Sequence, residues 1–156
     1  MKVTRKTNIN ISKAVKSVDS IKAKVGFFSS AKYEDGTPVA QIAIQNEYGI
    51  PQKKIPPRPF MRPTLDNQGK WKTIFRSGLK GAFKSGNFVK PFELVAITAR
   101  ADVKDSITKV TKPALSEATI KARQNRRGKK KQTKTGNKPL QDTNTMFEAV
   151  QYEVSK

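Results

Sequence analysis

Trp71 to Val110 reads WKTIFRSGLKGAFKSGNFVKPFELVAITARADVKDSITKV, and this stretch decides the fold. Trp71, Ile74, Phe75, Gly78, Leu79, Ala82 and Phe83 recur with the 3.6-residue period of an amphipathic helix. Lys70, Lys72, Arg76, Lys80 and Lys84 fill much of the remainder. Ser85-Gly86-Asn87 breaks the pattern. A second helix follows over Phe88 to Val110, with Phe92, Val95, Ala99, Val103, Ile107 and Val110 on one stripe. So short a connection predicts antiparallel packing of the pair. Gly78 and Gly81 are expected to let the helices approach closely.

Working upstream, Lys22 to Ser29 alternates as a strand, with Val25 and Phe27 on one face and Phe28 opposite. A weaker strand pattern (Val3, Ile9, Ile11) opens the chain. Ser12 is placed to cap a short helix carrying Ala14, Val15 and Val18. Residues 29–36 are polar turn material. Thr37-Pro38 predicts a helix start, with Thr as cap and Pro at the first helical position. Val39, Ile42 and Ala43 then follow a helical period, and Gly49 is placed to end it in a left-handed conformation. A strand with Val39, Gln41 and Ala43 on one face is the weaker alternative. Downstream, Pro113 precedes a short helix with Ser116 as N-cap and Ile120 facing inward. The C-terminal MFEAVQYEV is a strand candidate, with Val150, Tyr152 and Val154 on one face. Three strand candidates around a helical pair predict a single α+β domain over residues 1–156: a small antiparallel sheet covered by two or three helices.

Residues 51–63 contain five prolines, Pro51, Pro56, Pro57, Pro59 and Pro63. That density excludes a regular helix and predicts an extended, stiff segment. Phe60 and Met61 sit within it and are expected to pin it to the core. Glu47, at a helix end, is expected to pair with Arg58 or Arg62. Trp71 and Tyr48 read as core or interface anchors.

The chain has 32 Lys and Arg against 12 Asp and Glu, a formal net charge of +20 over 156 residues. Such a surplus favours a polyanionic neighbour. From Lys121 to Lys138 there are nine basic residues and no acid, with no side chain able to build a core. Residues 121–138 therefore read as a flexible basic loop. Arg123, Arg126, Arg127, Lys129, Lys130, Lys131 and Lys134 are its candidate phosphate contacts. The absence of aromatics there argues against reading of single-stranded bases. The chain has no Cys and no His. Thiolate nucleophiles, Ser-His-Asp and Cys-His mechanisms and zinc-thiolate sites are thereby excluded. There is no phosphate-binding glycine loop. Asp102 and Asp105 lie three apart on one helix, a spacing that a metal could bridge, but they read as solvated carboxylates. No cofactor and no enzyme activity is expected. No apolar run is long enough to span a membrane.

Two blocks together resemble a known family. VAQIAIQNEYGIPQKKIPPRPFMRP (Val39 to Pro63) resembles the VAxIAxxNEFG…IPxRPFLRP block of tailed-phage tail-completion and neck proteins, the virion morphogenesis group. Leu115 to Val154 resembles LSxxTIxxR…KPLxDTGxLxxSIxYxV, with Asn144 standing where the family has Gly. Asn is the next residue able to hold a left-handed backbone, so the turn is expected to survive. The basic stretch between the two parts of that block is longer than the family's.

The resemblance implies a non-enzymatic virion protein that completes the tail or joins head to tail, located at the head–tail joint or tail end and in the host cytoplasm before assembly. It implies a ring of identical subunits, with a hexamer as the family's suggestion. The neighbours would be phage connector or tail-tube proteins, with DNA contacted through phosphates alone. Glu47, Tyr48, Ile55, Pro56, Arg58, Phe60, Met61 and Arg62 are the candidate interface, because a proline-stiffened segment docks with little loss of entropy. A rigid intramolecular strap is the alternative use of the same segment. On charge alone, a sequence-nonspecific nucleic-acid-binding protein is the competing function.

Overall fold

The computed structural model describes Ser12, Lys16, residues 18–125 and residues 137–156. The opening strand pattern, Ala14 and Val15 of the expected short helix, and most of the basic stretch lie outside these residues. The fold is a small α+β arrangement. A two-stranded antiparallel sheet pairs β1 (Lys22–Phe27) with β2 (Val150–Ser155), in a register running from Lys22 opposite Ser155 to Phe27 opposite Val150.

Five helices are described: α1 (Val39–Tyr48), α2 (Gln68–Ser85), α3 (Lys90–Lys109), α4 (Glu117–Gln124) and the single turn α5 (Thr145–Glu148). Helix α3 packs against both strands on one side and against α2 on the other, so α2 forms the outermost layer.

The α2–α3 pair is antiparallel. Phe83 meets Phe88 edge-on near the connection, Gly78 faces Pro91, and Trp71 at the far end donates its indole N–H to Asp102 at 2.7 Å. Gly86 ends α2 in the left-handed region at φ 76°. The Asn87 side chain then accepts from the amides of Val89 and Lys90 and starts α3. The two glycines of α2 differ. A Cβ at Gly78 would lie 3.0 Å from the Pro91 Cα, whereas one at Gly81 would meet nothing. Close packing thus explains Gly78 and does not explain Gly81.

The core joins all parts of the chain: Val39, Ala43, Phe60, Val103, Ile107, Leu140, Met146 and Val150. Phe27 stands edge-on to Phe60, with ring centroids 6.0 Å apart. Ser116 caps α4 as expected, its hydroxyl accepting from the Thr119 amide. Asn144 adopts the left-handed conformation at φ 59° and opens α5.

Several local expectations are corrected. Thr37 does not cap α1. Pro38 flanks the helix in an extended conformation, and the Thr37 amide turns back to Asp35. Gly49 has the expected positive φ of 75°, but its ψ of 179° takes it out of the left-handed helical region. Residues 51–63 are not extended throughout. Pro51–Lys53 forms a 3-10 turn, and Pro63 lies inside a second, Arg62–Asn67, because a φ near −65° suits 3-10 geometry as well as an extended chain. Met146 to Glu148 belong to α5 rather than to the C-terminal strand. Residues 121–124 of the expected basic loop are the last turn of α4, since Ser116 caps a helix long enough to include them.

Candidate interface site around Glu47

The proline pattern explains the geometry of the strap. Between Pro59 and Pro63 only Phe60, Met61 and Arg62 carry backbone N–H groups. All three donate to the single carboxylate of Glu47, at 2.8, 2.9 and 3.1 Å. The Arg62 guanidinium adds a bond from Nε to Oε1 at 3.0 Å and another from Nη2 to the Glu47 carbonyl at 3.2 Å. Glu47 is only 4 % exposed. A buried carboxylate needs this degree of compensation. Burial raises its pKa, but the amides of Met61, Phe60 and Arg62 and the Arg62 side chain outweigh that and hold it below the usual glutamate value.

The strap is held at three further points. The Arg58 amide donates to the Asn46 carbonyl at 2.6 Å. Ile50 and Ile55 exchange both backbone hydrogen bonds and close the loop between α1 and the strap. Gly49 makes the return possible, because a Cβ there would lie 2.7 Å from the Ile55 carbonyl oxygen and 2.8 Å from the Pro57 nitrogen.

The two arginines have different tasks. Arg58 is buried and reaches across the fold, donating from Nε to Pro113 O at 2.8 Å and from Nη2 to Ala114 O at 3.0 Å. Its desolvation pulls its pKa below the ordinary arginine value. Arg62 is the partner of Glu47. Its half-exposed side chain lies over the Tyr48 ring, 5.0 Å from the centroid.

The sequence-predicted interface residues therefore divide. Glu47, Arg58 and Phe60 are buried, and Phe60 is fully so. They hold the strap inside the molecule and cannot form an outward face of this chain. Met61 and Pro56 are half-buried. Tyr48 (62 % exposed), Ile55 and the Arg62 side chain face outward. Sequence reasoning missed Ile44, one turn before Tyr48 on α1 and 60 % exposed. Its signal was present, since an apolar residue at that position falls off the Val39–Ala43 stripe.

Among the candidate phosphate contacts, Arg126, Arg127, Lys129, Lys130, Lys131 and Lys134 lie outside the described residues. Arg123 is described and is held in place. It donates to the Lys138 carbonyl at 3.1 Å and pairs with Asp142 at 3.7 Å, with its side chain only 12 % exposed. It thereby ties the start of the basic stretch to the segment that follows it.

No known protein family, no curated protein and no solved structure matches the chain. Among the described residues no cluster of metal-ligating side chains occurs. Asp102 is occupied by Lys70 and Trp71, and Asp105 pairs with Lys109. Two open clefts are lined by Ile21, Asn87, Phe88 and Lys156, and by Ile74, Gly78, Lys90 and Leu94. Each is lined by a single lysine and no acidic side chain. No described helix is long and apolar enough to cross a membrane.

Proposed function

We propose that the chain is a structural subunit of a tailed-phage virion joint. It completes the tail or joins head to tail, assembles with copies of itself into a ring, and has no catalytic activity. The observation that carries this reading is the ordered pair of family-like blocks. Val39, Ala43 and Phe60 from the first and Leu140, Met146 and Val150 from the second supply six of the eight residues of the core. The positions behind the resemblance thus work together as one unit. Ile44, Tyr48, Ile55 and Arg62, four of the exposed residues of the first block, are its outward contacts. Ring formation requires such outward apolar positions, because each subunit must present a patch that complements its neighbour. Phage connector or tail-tube proteins are the further partners, and the virion is the site of action.

The test is the mass of the nuclease-treated protein by light scattering on a sizing column, at low and high salt. A ring that survives high salt, and dissociates to a folded monomer in Tyr48→Ser/Ile55→Ser, is expected. The net charge of +20 favours the competing function, a sequence-nonspecific nucleic-acid binder. A protein monomeric under all conditions that binds DNA would move the assignment there.

A further inference from the structure

Helix α2 carries a feature that neither the core nor the strap uses. Lys72, Arg76, Lys80 and Lys84 follow one another at intervals of four residues, and all four are exposed. None takes part in an ion pair among the described residues. From Asn67 to Phe92 there is no acidic residue at all. Four residues of helix rise about 6 Å, so the four cations form a ridge about 18 Å long. The adjacent row, Gly69, Thr73, Ser77 and Gly81, is small and exposed, and a Cβ added at Gly69 or Gly81 meets only open space. The cations therefore stand beside a low shelf, and α2 is the outermost layer of the fold.

We infer that the outer face of α2 is a binding site for the phosphate backbone of double-stranded nucleic acid. A duplex carries about one charge per 1.7 Å of axis, so the ridge spans about ten of them. Neither exposed row contains an aromatic residue, so bases have nothing to stack on, and contact is to the backbone without sequence preference. A membrane surface is the poorer partner. Interfacial helices set a broad free apolar face beside their cations, whereas most apolar residues of α2 are half-buried toward α3, with Phe75 edge-on to Phe92 and Phe83, itself 39 % exposed, edge-on to Phe88. The site uses none of the residues assigned to the ring interface and none of the basic residues from Arg126 to Lys134.

The test uses the full chain, nuclease-treated, and a labelled duplex of about 30 base pairs of arbitrary sequence, with binding followed by anisotropy across a salt series. The quadruple variant Lys72→Gln/Arg76→Gln/Lys80→Gln/Lys84→Gln is compared with a control that removes the same charge elsewhere, Lys22→Gln/Lys24→Gln/Lys32→Gln/Lys53→Gln. The slope of log affinity against log salt is expected to shrink by about 3.6 in the α2 variant and to stay near native in the control. At about 50 to 200 mM salt those four contacts account for roughly a 100-fold loss of affinity. If the quadruple variant fails to melt cooperatively, Lys72→Gln and Lys80→Gln alone should each lower the slope by about 0.9. Equal loss in both quadruple variants would overturn the assignment, since binding would then follow net charge. So would a native protein that ignores duplex, or one whose four α2 residues bind anionic vesicles but leave duplex affinity unchanged.

Discussion

The proline-rich strap and the outer face of α2 use cationic side chains in opposite ways. In the strap, both arginines are engaged internally: Arg58 on the carbonyls of Pro113 and Ala114, Arg62 on Glu47. Every amide between Pro59 and Pro63 ends on one buried carboxylate. On α2, Lys72, Arg76, Lys80 and Lys84 are exposed, and none has an ion-pair partner among the described residues. Positive charge stabilises the fold where it is desolvated and paired. On the outer helix it is left for something outside the chain. Changes at Glu47, Arg58 and Phe60 should therefore register as stability, and changes at the four α2 cations as binding.

Phe60→Ala should give the largest effect. The ring is fully buried against Phe27, so the loss should be about 3–5 kcal/mol. A melting scan should show a fall of about 10 °C or more. A docking residue would instead leave the melting point unchanged.

Glu47→Ala comes next, at about 3 kcal/mol, because three amides and a guanidinium lose their common acceptor. Glu47→Gln should cost less and should alter the acid response. The folded pKa of Glu47 is depressed, so its contribution is complete above the unfolded value of 4.5 and is lost as pH falls through the lower folded value. The native melting point should therefore fall more steeply than that of Glu47→Gln as pH drops below about 4.5.

The glycines of α2 offer a finer contrast. Gly78→Ala should destabilise by about 1 kcal/mol, the crowding against Pro91 outweighing the gain in helix propensity. Gly81→Ala, with open space around it, should stabilise by up to about 1 kcal/mol. Chemical denaturation of the two variants checks the sign. Smallest of all, neutralising the four α2 cations should leave stability within about 0.5 kcal/mol, since surface positions away from packing tolerate change.

The elements that rest on local pattern were legible in the sequence. The α2–α3 hairpin follows from its apolar period, the break at Gly86-Asn87 from turn chemistry, the start of α4 from Ser116, and the left-handed turn from Asn144. The strap was legible only in part. Proline spacing implied stiffness, and a Glu47–arginine pair was anticipated. Arg58 and Arg62 flank the same Phe60-Met61 pair, however, and local sequence does not say which of them turns toward α1. The partners of Arg58 lie more than fifty residues downstream. The convergence of three amides on Glu47 depends on α1 and the strap folding back through Gly49. The tie from Arg123 to Lys138 and Asp142 likewise lies beyond local pattern. Short elements such as α5 carry too few residues for a period to appear. The cation ridge of α2 could be read from its spacing, but only the layering shows that nothing in the described fold covers it.

The most direct test of the division between strap and outer helix is amide hydrogen exchange, resolved by residue, on the native protein. If the Glu47 node is internal and rigid, the amides of Phe60, Met61 and Arg62 should exchange as slowly as those of Val103 and Ile107, through global unfolding alone. Fast exchange at those three amides, while the core stays protected, would contradict it and return the strap to the role of a docking arm.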